Sequence, residues 1–212
     1  MRPSIPIPTD EPLPFSTLPF DPSIDESAAP IGPLLRPQAV AQFDNLLHEL
    51  HPDAPRIDAT RLRTLCAWLA SLPPVTAQEV LDRRLRRMEE LRAMLDDDDW
   101  DAGDAIHARL RKLFAYIDFD DDLIPDREPL LGKLDDVLLI ELAWPAFVAE
   151  AEDYRDFCAY RDEEHPDGDG SARRSAWMRD RLAEIALWRH HLRVNDSRYA
   201  DSSTPRALFR IS

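Results

Sequence analysis

Glycine is scarce in this chain of 212 residues, which contains only five, and β-branched residues are few while Ala, Leu, Arg, Asp and Glu abound. That balance disfavours sheets and glycine-rich ligand loops and favours helices. Cysteine is scarcer still. Cys66 and Cys158 lie far apart, each inside a helix-like apolar pattern, so two buried free thiols are expected rather than a disulfide. Lysine occurs twice, at Lys112 and Lys133, against 24 arginines, a balance that resembles the coding bias of a high-GC bacterial genome. Long apolar runs are also missing. The longest, residues 137–149, is interrupted by Glu141 and Pro145, whereas a membrane span needs roughly 20 apolar residues. The opening MRPSIPIPTDEPLPFSTLPF has prolines where a signal peptide would carry its apolar stretch. A cytoplasmic protein with no membrane span is expected.

What the chain does have is acid and proline. A net charge of -15 argues against nonspecific nucleic-acid binding, because the chain would approach another polyanion, and it leaves a basic protein partner open. The charge is uneven. Residues 96–136 hold 14 acidic and 5 basic side chains, giving -9, while residues 173–212 hold 4 acidic and 9 basic, giving +5. Two readings follow: the basic end packs beside the acidic segment, or one of the poles docks a partner, the acidic one a basic protein and the Arg-rich one an anion.

Ten of the 19 prolines fall in residues 1–37, so residues 1–36 are expected to be extended or disordered, with Phe15, Leu18 and Phe20 as scattered points of attachment. Removing residues 1–35 is then expected to leave the fold largely intact. Residues 37–192 read as one all-α domain, an antiparallel helical bundle of six or seven helices, and residues 193–212 as a polar C-terminal tail. Pro37 suits the first turn of a helix carrying Val40, Phe43 and Leu47, and Asp58 suits the cap of the next. Thr76 and Glu79 have the spacing of a capping box for a third helix. Further apolar stripes predict a fourth from about Asp101, a buried one through Leu142, another from Pro145 to about Arg161, and a last from Ser171 to about Leu192.

Between the fourth helix and the buried one lies DLIPDREPLLGKLDD, residues 122–136. Pro125 disfavours helix at Ile124, Pro129 fits a helical first turn, and Gly132 permits a second break or a close helix contact, so the stretch reads as a compact elbow. A helix starting after Gly132 places Asp135 and Asp136 in its first turn, where carboxylates meet exposed N–H groups. The surroundings are too apolar to leave both wet, so one of the two is expected to be buried and to fasten the elbow. Asp122, Pro125, Asp126, Pro129, Gly132, Asp135 and Asp136 are therefore the candidate site, in a structural or partner-binding role. Leu123-Ile124-Pro125-Asp126, Pro129, Leu131-Gly132 and Leu134-Asp135-Asp136, followed by an apolar run, resemble the signature of the YkvA-like family, a bacterial helical domain of unknown function. The resemblance covers about residues 105–154 and implies a helical fold, with no reaction or catalytic residues to carry over.

Metal chemistry has weaker footing. Residues 118–129 begin like a calcium loop but put Leu123 where glycine is needed and Pro129 where a closing glutamate belongs. The segment from Asp167 fails likewise, at Ala172 and Met178. Asp104 with His107, and Asp162 with His165, each set a carboxylate and an imidazole one helical turn apart, the pattern of a carboxylate-bundle metal enzyme with Asp in place of Glu. Those four residues define the alternative, a metal-dependent enzyme. No phosphate loop, G-x-S-x-G or H-E-x-x-H is present. The favoured reading is a noncatalytic interaction or regulatory protein that needs no cofactor.

Overall fold

A computed structural model describes residues 12–16, 35–119, 122–125 and 127–201, with side chains to residue 194. The fold is all-α: seven α-helices, two short 3-10 turns and no strand among the described residues. Most of the proline-rich residues 1–36, together with Asp126, lie outside the described part.

Local chemistry sets most helix starts. Helix α1 (Pro37–Leu50) begins with Pro37 in its first turn, where the missing N–H is no loss. Helix α2 (Ala59–Ser71) begins at Asp58, whose carboxylate accepts the Arg61 N–H at 2.8 Å. Between them Asp44 accepts the Ile57 N–H at 2.8 Å and Arg56 Nη1 at 2.7 Å, which closes the connecting loop. Burial works to raise the Asp44 pKa, but these hydrogen bonds and the nearby His48 and Arg56 hold it below the ordinary carboxylate value.

Helix α3 (Pro74–Asp96) corrects the capping-box expectation. It starts at Pro74, so Thr76 lies inside it and no side chain caps it; a proline preset to helical φ initiates the helix two residues ahead of the hydroxyl. Helix α4 (Asp104–Ile117) follows Gly103, whose φ of 77° is left-handed and is available without strain to glycine. Helix α5 (Leu134–Ala143) is buried along nearly its whole length. A 3-10 turn, Trp144–Ala146, accommodates Pro145 before helix α6 (Val148–Glu164).

The chain divides into two compact units. The larger is Ile7–Asp156, and the other begins at Phe157. In the larger unit α5 packs on α1 and α3, and α4 packs on α1 and α3. Phe43, Leu47, Leu65, Leu69, Leu113 and Val137 are among its fully buried side chains, supplied by apolar positions recurring at helical spacing. In the other unit the T-shaped pair Phe157–Trp177 sets the α6 residues beyond Asp156 against helix α7 (Gly170–Asp201). The turn between them uses His165 at φ 46° and Gly168 at φ 102°. Asp169 then caps α7 by accepting the Ala172 N–H at 2.9 Å. The tail expected from residue 193 is helical to Asp201, because α7 meets neither proline nor glycine beyond Gly170 in that span.

Two further observations depart from the sequence reading. Leu13 and Phe15 flank and occupy a short 3-10 turn, Pro14–Ser16, that packs on α2, and both are buried, as is Leu35. The N-terminal segment thus contributes to the core. Second, Glu141, which interrupts the apolar run, is a structural clamp. Its Oε2 receives Arg84 Nε at 2.5 Å and its Oε1 receives the Leu13 N–H at 2.5 Å, while Arg84 Nη1 also donates to the Val80 carbonyl at 2.8 Å.

Two stability outcomes are expected in urea melts. Phe15→Ala should cost about 3 kcal/mol by loss of a buried ring, and deletion of residues 1–35 should cost more, so a deletion variant as stable as the full chain would refute the docking of this segment. Arg84→Met should cost about 3 to 5 kcal/mol, because it leaves the Glu141 carboxylate without its cation.

Candidate functional site

The elbow between α4 and α5 is organised around one carboxylate. Asp135, in the first turn of α5, is fully buried, and its Oδ2 accepts both the Ile124 N–H at 3.0 Å and the Tyr116 hydroxyl at 3.0 Å. The Tyr116 oxygen in turn accepts the Leu123 N–H at 3.2 Å. Helix α4 ends at Ile117, so the Leu123 and Ile124 N–H groups lie beyond it and need partners from outside the helix. Asp135 and Tyr116 supply them. Beyond Pro125 the chain turns by Glu128 N–H to the Pro125 carbonyl at 2.9 Å and Gly132 N–H to the Glu128 carbonyl at 3.0 Å.

The other candidate residues take distinct places. Asp136 and Asp122 are each 7% exposed, Pro125 and Gly132 are buried, and Pro129 is exposed. Gly132 has no positive φ. The left-handed residue of the elbow is Leu130, at φ 67°, a conformation that residue type alone does not announce. Tyr116 was not singled out from the sequence, because its partner Asp135 lies 19 positions away and only folding brings the two together.

Electrostatics make the centre unusual. Burial, and then the Asp136 charge, raise the Asp135 carboxyl to about 7, against the lowering effect of its donors Ile124 N–H and Tyr116. Burial and the Asp135 charge push the Cys66 thiol on α2 up to about 12, so it is an inert thiol in the core. Burial raises Tyr116 as well, with Asp135 and Asp122 adding to the effect. The Oδ1 of Asp135 has no hydrogen-bond partner among the described residues.

The metal alternative is placed differently. Asp104 and His107 lie on α4, with Asp104 exposed, and Asp162 is an exposed residue near the end of α6. His165 follows the last residue of α6 with left-handed backbone, so it does not continue the helical face of Asp162. Among the described residues no group of three or more His, Cys, Asp and Glu side chains is arranged to hold a metal ion. No helix among them is long and apolar enough to cross a membrane.

These observations define an all-α protein whose candidate site is a buried acidic elbow. No family model, curated protein or solved structure matches the chain.

The raised Asp135 carboxyl has a signed consequence for stability. Between the unfolded carboxyl value near 4 and the folded value near 7, the folded chain holds a proton that the unfolded chain has released. Its stabilisation is complete below about pH 4 and is lost as pH rises through about 7. The wild-type chain is expected to lose on the order of 2–4 kcal/mol between pH 4 and pH 8 from this group, and Asp135→Asn should flatten that part of the profile in parallel urea melts. A slope unchanged by the substitution would place the titration elsewhere. Tyr116→Phe, which removes the donor to Asp135 and the acceptor for Leu123, should cost about 1 to 3 kcal/mol.

Proposed function

We propose that this chain is a noncatalytic, cytoplasmic interaction protein that docks an acidic, apolar surface of a partner protein through α7. One observation carries the proposal. Every residue from 182 to 193 is exposed, and Met178, Leu182, Ile185, Trp188 and Leu192 present large apolar side chains at 41%, 58%, 37%, 50% and 44% exposure. Their spacings of four, three, three and four gather them on one sector of the helix, the pattern that elsewhere faces a core.

Charge selects the kind of partner. Arg181, Arg189 and Arg193 accompany the apolar residues, and across residues 173–193 six arginines stand against Asp180 and Glu184. A second α7 would bring arginines against arginines, whereas an acidic surface with apolar anchors complements both properties of the helix. The resemblance of the elbow to the YkvA-like signature supports a binding role, since that family brings no catalytic residues to carry over.

The test separates binding from folding. Leu182→Ser combined with Trp188→Ser should leave stability within about 0.5 kcal/mol, as expected of exposed positions. A photo-crosslinker at Leu182, in the cells that make the protein, should trap an acidic protein. That product should be lost in the Trp188→Ser variant, should weaken on Arg181→Gln and Arg189→Gln, and should be absent with the crosslinker at Val75, an equally accessible position on α3 at 72% exposure. Products that are the same at Val75, or that are indifferent to the arginines, would refute the assignment.

A further inference from the structure

A second interaction surface is filled by the chain itself. Residues 12–16 dock on the body as a short peptide would. Leu13 and Phe15 are buried, and the 3-10 turn Pro14–Ser16 packs on α2. The Arg61 guanidinium of α2 stands over the Phe15 ring, 5.9 Å from its centroid. One main-chain bond completes the contact, from the Leu13 N–H to Glu141 Oε1 at 2.5 Å. Two seated apolar side chains and a main-chain bond to a fixed acceptor are the means by which peptide-binding domains read a segment.

The receiving side is organised by the body. Glu141 is held through its other oxygen by Arg84 Nε at 2.5 Å, and Arg84 is tied to the Val80 carbonyl at 2.8 Å. The carboxylate therefore keeps its cation whether or not an N–H reaches Oε1, and a site arranged in advance binds with little ordering cost. Chemistry also defines what fits. The first residue must carry an N–H and so is not proline, the second is a proline whose fixed φ suits the turn, and the third brings an aromatic ring. That pattern, Leu-Pro-Phe, occurs at residues 13–15 and again at Leu18-Pro19-Phe20, and no other proline of the chain is followed by an aromatic residue. The second copy lies outside the described residues. One seat is thus matched by two ligands of the kind that fits it.

We propose that the seat of Leu13 and Phe15 is a recognition site for a Leu-Pro-Phe segment of a partner protein, with residues 13–15 as its built-in competitor. The partner's leucine gives its N–H to Glu141, its proline sets the turn, and its phenylalanine lies beneath Arg61. The chain's own segment is tethered and so present at high effective concentration, and a partner gains access as that competitor is weakened or outnumbered. The surface lies within the larger unit and stands independently of the α7 reading.

The experiment is fluorescence anisotropy with a labelled peptide of residues 10–17, Asp-Glu-Pro-Leu-Pro-Phe-Ser-Thr. It is titrated with the full chain and with a Phe15→Ala, Phe20→Ala double variant, in which neither copy keeps its ring. Binding should be at least about tenfold tighter in the variant, because the competitor is weakened. A peptide with N-methylleucine, which cannot donate to Glu141, and one with alanine for phenylalanine should each bind the variant at least about fivefold more weakly. A second measurement does not depend on the variant's folding. In an otherwise unchanged chain with a protease site inserted after Glu26, cleavage should leave residues 1–26 bound, and excess unlabelled peptide should release them in size-exclusion chromatography. Peptide that binds neither protein, together with a fragment that stays bound under excess peptide, would make the segment a permanent part of the core and overturn the proposal. Equal affinity for both proteins, or indifference to N-methylation, would place the peptide elsewhere and overturn it too. A wild-type dimer that excess peptide dissolves would give the seat to a second copy of this chain and overturn the assignment to a separate partner.

Discussion

The structure depends on how α5 disposes of its carboxylates. This helix is enclosed on almost every side, yet it carries Asp135 and Asp136 in its first turn and Glu141 near its end. A buried carboxylate without partners is strongly unfavourable, so the neighbouring elements must present donors at fixed places. At the C-terminal end Arg84 of α3 and the Leu13 N–H each take one oxygen of Glu141, which joins α3, α5 and the N-terminal segment at a single side chain. At the N-terminal end the elbow folds back so that Ile124 and Tyr116 reach Asp135.

These two ends are satisfied by different chemistry, and the difference bears on function. Glu141 has a cation and is a fastening. Asp135 has only neutral donors, so it meets its burial in part by holding a proton, and a group of that kind responds to whatever charge arrives nearby. Helix α7 differs in charge: its large apolar residues between 182 and 193 are exposed, and the residues beside them are rich in arginine.

Much of the helical framework was legible because its causes are local. Pro37 and Asp58 mark helix starts through a fixed φ and a side-chain acceptor. Asp135 and Asp136 lie in the first turn of α5 as their position after Gly132 implied. Thr76 misled because Pro74, two residues earlier, also starts a helix, and spacing alone does not rank two starters. Leu130 was illegible for a related reason: the left-handed residue of the elbow is set by where the chain must go next, and glycine at position 132 was only the cheaper local candidate.

What the sequence by itself determined is therefore the all-α class, most of the helix starts and the position of the acidic elbow, since each rests on contacts within a few residues. Tertiary structure alone decided that Phe15 belongs to the core, that Glu141 is a clamp rather than an interruption, and that Tyr116 and Asp135 meet across the elbow. Those assignments join residues 19 to 128 positions apart, and a carboxylate in an apolar run reads the same in sequence whether or not folding brings it a donor. Only the packed chain settles which buried charge receives a cation and which is left to hold a proton.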